Sequence, residues 1–221
     1  MGPGGEVARA DHSDPPRSTR LGGSLFQRAF SFLFRRTRLR TREPHTILFD
    51  LETLRSAVDV GGWGNIHRMG VAIGVVCHLE EGRFEVFGEP QVKELIATLK
   101  SATLVIGYNI RRFDYSVLSG YTGEDYSRLL PTLDLLEHVH SRLGFRVGMG
   151  HLAQETLGTA KSADGLQSLE WVRQGRLDLV EQYCRKDVEI LRDLYLHGRR
   201  EGFLLYRNRR RDLRLKLRVT W

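Results

Sequence analysis

The pattern of apolar and polar positions divides the chain, from about His45 onward, into a readable series of elements. Thr46–Leu51 combines alternation with buried character and predicts a strand. His67–His78 (HRMGVAIGVVCH) is long, β-branched and apolar, and predicts a second; Arg83–Gly88 predicts a third. Glu89–Leu99 changes to helical period, with a proline in its first turn. Thr103–Tyr108 is a further strand running into a turn at Asn109, and a helix starts over Phe113–Leu118. Thr132–Asp134 predicts a short strand end, followed by a helix through Leu143. More helices are expected over Met149–Leu157, Leu166–Gln174 and Leu177–Gly198. Phe203–Tyr206 and Leu213–Val219 predict a terminal hairpin. In its second strand Leu213, Leu215, Leu217 and Val219 alternate with Arg214, Lys216 and Arg218, so one face should pack and the other stay cationic. Three strands followed by alternating helices and strands predict an α/β fold with a mixed sheet.

Residues 1–44 stand apart from this series and are treated as an extension to a single domain at 45–221. Met1–Gly23 is rich in Gly, Pro, Arg and Asp and predicts disorder. Over Ser24–Arg36 the residues Leu25, Phe26, Ala29, Phe30, Leu33 and Phe34 recur at helical spacing beside Arg28, Arg35 and Arg36. A basic amphipathic helix follows, suited to docking on the domain, to a helicase or polymerase partner, or to a membrane surface. The number of phenylalanines favours docking on the domain.

Charge sharpens the division. Of the net +7, about +5 lies in residues 1–44 and about +6 in residues 207–221, which leaves the middle near −4. Basic ends attract a polyanion, whereas an acidic core facing one needs something to neutralise it. The two cysteines, Cys77 and Cys184, sit in apolar segments and suggest no disulfide framework, so a reducing, cytoplasmic setting is expected. No run of residues has the length of a membrane span.

Three segments carry candidate chemistry. In ILFDLET (Ile47–Thr53), Asp50 and Glu52 lie two apart on a strand, so both carboxylates project to one face and repel unless a cation lies between them. By itself an Asp-x-Glu at a strand end is common. GYNIRRFD (Gly107–Asp114) adds a third acid after another apolar strand, with Arg111 and Arg112 placed to touch phosphates and Phe113 to anchor the following helix. YCRKD (Tyr183–Asp187) lies inside a strongly periodic helix, where Tyr183 and Asp187 are neighbours bordering the buried stripe. A phenol beside a partly buried Asp is either a satisfied core hydrogen bond or a holder for a water nucleophile. A rival cluster of Glu137, His138, His140 and His151 lacks the spacing of a zinc site. Asp134 and Glu137 read as supports of the site or as helix N-terminal charges, and Trp171 and Trp221 as packing residues.

In this order, the three segments resemble the exonuclease motifs of the DEDD superfamily, in the subclass with Tyr in the third motif. GYNIRRFD and YCRKD are similar to the proofreading domains of family B DNA polymerases. KSADGLQSL followed by LVEQYCRKDVEILRDLY more closely resembles stand-alone bacterial YprB-like RNase H-like domains. The resemblance covers roughly His45–Trp221. It implies an RNase H-like mixed five-stranded sheet flanked by helices, with the basic hairpin at its C-terminus. It also implies 3′-5′ exonuclease activity with two divalent cations per site, and the all-oxygen ligand set suits Mg²⁺ or Mn²⁺. On the family's pattern Asp50, Glu52, Asp114 and Asp187 are the ligands and Tyr183 orients the attacking water. Thr53 and Asn109 fall where the family contacts the terminal nucleotide. Phe113, Arg111, Lys161, Arg209 and Arg210 complete the expected contacts to a single-stranded DNA or RNA 3′ end. Two other readings stay open: a nucleic-acid-binding module on the same fold, and an endonuclease.

Overall fold

The computed structural model describes residues 43–159, 165–208 and 212–221. The helix expected at Ser24–Arg36, and the expected contacts Lys161, Arg209 and Arg210, lie outside the described residues. Strand β1 (Thr46–Thr53) is the middle of a five-stranded sheet of order β3-β2-β1-β4-β5. It runs antiparallel to β2 (Val71–His78) and parallel to β4 (Leu104–Gly107). At one edge β3 (Arg83–Gly88) pairs antiparallel with β2; at the other β5 (Thr132–Asp134) pairs parallel with β4.

The two-residue period of β1 assigns its side chains to two different cores. Ile47, Phe49 and Leu51 pack with Leu95, Ile96 and Leu99 of α1 (Val92–Ser101) and with Tyr115, Val117 and Leu118 of α2 (Asp114–Thr122). Leu48 points the other way. There Ile73, Val75 and Cys77 of β2 meet Val180, Cys184, Val188 and Leu191 of α7 (Leu177–Glu201). The same parity puts Asp50 and Glu52 on the α7 side. β2 is buried at every residue because both of its faces are covered, which is why its sequence is continuously apolar instead of alternating.

A third core joins Val139 of α4 (Leu135–Leu143) and Leu152 and Ala153 of α5 (Met149–Leu157) to Ile190 and Leu194 of α7. The hairpin of β6 (Phe203–Asn208) and β7 (Leu213–Arg218) closes it through Leu204, Leu217 and Val219. Trp221 lies on Gly198 of α7, where an added Cβ would collide with the indole, and its Nε1 donates to the Tyr195 carbonyl at 3.1 Å.

Several expectations are corrected. The strand expected from His67 begins at Val71. Residues Trp63–Arg68 form a 3₁₀ turn, and Gly70 at φ 70° breaks the extended chain between them. Helix α3 (Tyr126–Leu129), capped by Asp125 accepting from Ser127 N–H, is one turn long and too short to carry a period. The apolar packing of the hairpin weakens towards its turn. Leu217 and Val219 are buried, but Leu213, beside the turn, is 51% exposed. Its cationic face is partly neutralised: Arg207 and Arg214 share Glu155 at 3.1 and 3.4 Å, and Arg207 also pairs with Asp212. Among the described residues no helix is long and apolar enough to cross a membrane.

Candidate metal centre

The site forms where the C-terminal half of β1 lies against α7. In register, Asp50 sits opposite Val75 and Glu52 opposite Ile73; the register then shifts between Glu52 and Thr53, so that Thr53 pairs with Val71. Cys184 is the contact point of the helix. Its thiol donates to the Asp50 carbonyl at 3.4 Å and lies 3.9 Å from Asp50 Oδ2. Burial, then the surrounding carboxylates, pushes this thiol well above its usual range, so it remains a neutral packing group. One helical position earlier is Tyr183, and three residues on is Asp187. Both are buried at the edge of the stripe, and Trp171 of α6 (Gly165–Arg173) packs against the Tyr183 ring edge at 6.2 Å.

Carboxylate oxygens of Asp50, Glu52 and Asp187 lie within 4.8 Å of one another. Among the described residues this is the one group of three or more potential ligands so gathered. Three like charges at this spacing repel strongly in a half-buried site, and hard oxygen donors in such an array fit a divalent cation of the Mg²⁺ or Mn²⁺ kind. The acids open into a cleft of about 390 Å³ that Asn109, Phe113 and Tyr183 also line.

Asp114 is placed differently. It is the first residue of α2, 3% exposed, and accepts from Leu51 N–H at 3.2 Å, from behind the strand that carries Asp50 and Glu52. Burial, reinforced by the charges of Asp134 and Glu52, raises its pKa to about 8 despite the backbone N–H groups it accepts from. It is therefore a neighbour of the three-acid group and not one of its converging oxygens.

The turn of the second segment is held by Asp134. Its carboxylate caps α4 through Leu136 and Glu137 N–H and also accepts from Asn109 N–H at 2.8 Å and Arg111 N–H at 3.1 Å. This clamp keeps Asn109 at φ 71°, a left-handed conformation that Asn tolerates better than most side chains. Asn109 Oδ1 then faces the cleft and accepts from Arg146 Nη2 at 2.8 Å.

Arg146 is a lining residue that sequence reasoning passed over. It sits in an aperiodic loop (GFRVG) between α4 and α5, where neither spacing nor alternation marks a position. Arg111, expected at the substrate, is instead committed to the Ser127 and Thr132 carbonyls and to Glu137, and does not line the cleft. The Thr53 hydroxyl donates to the Arg55 carbonyl, and the residue lines a neighbouring apolar pocket of about 540 Å³ with Trp63 and Leu166. Phe113 bridges the two, lining the acid cleft while its ring meets Trp63 at 6.4 Å. The histidine cluster does not assemble: His138 packs edge-on to Trp221, and His151 Nε2 accepts from Arg207 N–H.

No curated protein matches the chain. Among solved structures, the family B DNA polymerase of the hyperthermophilic archaeon Pyrobaculum calidifontis superposes with a TM-score of 0.54 at 15% identity, over 72% of this chain. The match spans 24% of the polymerase, so the likeness is one of fold over a part of that protein. Residues 71–198 match the family model described as RNase_H superfamily, a span that holds Asp114, Tyr183 and Asp187 and begins after Asp50 and Glu52. With more than half of the chain matched and the sheet order and flanking helices described above, this chain belongs to the RNase H superfamily.

Proposed function

We propose that the protein is a cation-dependent 3′-5′ exonuclease acting on single-stranded nucleic-acid ends. The observation that carries this is the convergence of Asp50, Glu52 and Asp187 within 4.8 Å, one helical turn from the phenol of Tyr183, in an open cleft. Asp50, Glu52 and Asp187 would hold the cations, with Asp114 behind them. Two cations held there would ease deprotonation of the attacking water and offset charge on the leaving 3′-oxygen. The chain's own contribution is positional. Tyr183, fixed by Trp171, orients the water towards phosphorus; Asn109 and Phe113 hold the terminal nucleotide. Water oxygen bonds to phosphorus and the bond to the 3′-oxygen breaks. The products are a nucleoside 5′-monophosphate and a strand one residue shorter, ending in a 3′-hydroxyl.

The test is a denaturing-gel time course on 5′-labelled single-stranded DNA and RNA with Mg²⁺, Mn²⁺ or EDTA, beside Asp50→Ala. The reading expects a cation-dependent ladder shortening from the 3′ end that is absent in the variant. Internal cuts would make the protein an endonuclease. Binding of both strands without cutting would make it a binding module.

A further inference from the structure

The acid cleft has unlike neighbours on its two sides. Towards Thr53 the lining is mainly apolar, with Met69, Leu166, Leu169 and a Trp63 that is 68% exposed, and its one arginine, Arg55, turns its Nε to the Met69 carbonyl at 3.5 Å. On the other side a second cleft of about 620 Å³ begins at Arg146, Val147 and Gly148, residues that line both cavities, and runs to Arg207 and Asn208 at the turn end of the hairpin. The two cavities therefore adjoin at Arg146.

Arg146 differs from the other arginine of that cleft. Arg207 is held by Glu155 and Asp212. Among the described residues Arg146 forms no ion pair; its tie is to the neutral Asn109 side chain, which occupies one of its five donors and fixes the guanidinium at the junction. Its chain neighbour Phe145 lines the same cleft, is 48% exposed, and meets the edge of Tyr206 at 6.2 Å. A fixed guanidinium next to an exposed, supported aromatic ring is the combination that grips one phosphate and stacks one base of a single strand without reading its sequence.

We infer that the Phe145–Arg146 ledge is a second strand-binding subsite. It receives the nucleotides beyond the reacting phosphodiester and leads them from the acid cleft to the turn end of the hairpin. The inference deepens the exonuclease reading and rests on it for the location of the reacting bond. The strand polarity follows from the asymmetry: the terminal nucleoside faces the apolar side, and the continuing, phosphate-bearing chain runs along the side that carries Arg146.

The experiment is equilibrium binding of 5′-fluorescein di-, tetra- and octadeoxynucleotides to the full chain in EDTA, by anisotropy, over a range of salt. Wild type is compared with Arg146→Gln and Phe145→Ala, each checked for native circular dichroism. Lengthening from two to eight nucleotides should tighten wild-type binding, and Arg146→Gln should remove at least tenfold of that gain. The slope of log affinity against log salt should fall by ~0.7, one phosphate contact on a single strand. Phe145→Ala, which leaves the Asn109 tie intact, should cost roughly fivefold with no change in slope. A gain with length that both variants retain, or an unchanged slope in Arg146→Gln, overturns the subsite. Wild-type cleavage with Mg²⁺ or Mn²⁺ is scored separately. Cleavage with an unaltered length gain rejects the ledge and keeps the nuclease; an Arg146-dependent gain without cleavage keeps the ledge and rejects the nuclease.

Discussion

The two ends of β1 assemble ionisable groups in opposite ways. At its start, charges and donors are matched. His45 Nδ1 meets the Ser101 carbonyl, His45 Nε2 meets His78 Nδ1 at 3.0 Å, and His78 Nε2 meets Glu85 at 3.2 Å, while Glu80 accepts from Thr46 N–H and Arg83 pairs with Glu81 and Glu85. Seven residues away, the far end of the strand draws together three carboxylates and backs them with a fourth. Matched groups tie β1, β2 and α1 to one another and need nothing further. Like charges in a half-buried cluster destabilise the fold that holds them, and such an arrangement is understandable where a cation is to be received. The comparison separates charge that maintains a structure from charge that is held for a ligand.

Replacing a member of the second kind should therefore remove activity and leave stability intact. Asp50→Ala is expected to reduce strand cleavage below detection while the melting temperature in EDTA is unchanged or higher, because a repulsive group has gone. Loss of both activity and fold would put Asp50 on the structural side of the comparison. Tyr183→Phe comes next. It keeps the ring against Trp171 and removes only the phenol, so cleavage should slow by ~10²-fold with Mn²⁺ binding retained by calorimetry. A rate equal to wild type would make the phenol a packing group.

Asp114 tests the comparison from the stability side. An aspartate whose pKa rises from about 4 to about 8 on folding keeps its proton over that interval while the unfolded chain has released it. Metal-free stability should then fall as pH rises from about 4 to about 8, with the full cost present above pH 8. Asp114→Asn preserves an oxygen for Leu51 N–H and cannot ionise. In EDTA at pH 8 it should melt several degrees above wild type, and the difference should vanish near pH 4. In Mg²⁺ it should cleave more slowly than wild type. A lower melting temperature at pH 8 would mean the ionised carboxylate is stabilised by partners.

How far these distinctions were legible in the sequence depends on the range of the interaction. The spacing of Asp50 and Glu52 on a strand and of Tyr183 and Asp187 on a helix fixes each pair on one face, and the alternation of Ile47, Leu48 and Phe49 between two cores decides which face. Side-chain commitments made across the fold left no local mark. Arg111 has the look of a phosphate contact in GYNIRRFD, yet its partners, Ser127 and Thr132, lie on other elements. Asp134 caps the helix that follows it, as composition allowed, but its hold on Asn109, twenty-five residues earlier, is a tertiary fact. Arg146 escaped notice because an aperiodic loop gives no pattern to read.

The smallest expected effect is at the matched end of the strand. Burial pushes the Glu85 carboxyl up, but hydrogen bonds from His78 and Arg83 and their charges outweigh it and hold the group below the usual carboxylate range. Its contribution is thus present above the unfolded pKa near 4.3 and is lost as pH falls through the lower folded value. Three contacts in series link the Ser101 carbonyl through both imidazoles to Glu85. His78→Ala breaks two of the three contacts and empties a buried position. It should cost about 2 kcal/mol in urea unfolding at neutral pH, most of it from the void left at a buried position, because Glu85 keeps Arg83 and His45 keeps Ser101. Cleavage per folded molecule should not change, because no group of this network lines the acid cleft. A loss of activity in excess of the loss of folded protein would show that the two ends of β1 are coupled, and the separation between maintaining and ligand-holding charge would have to be given up for this sheet.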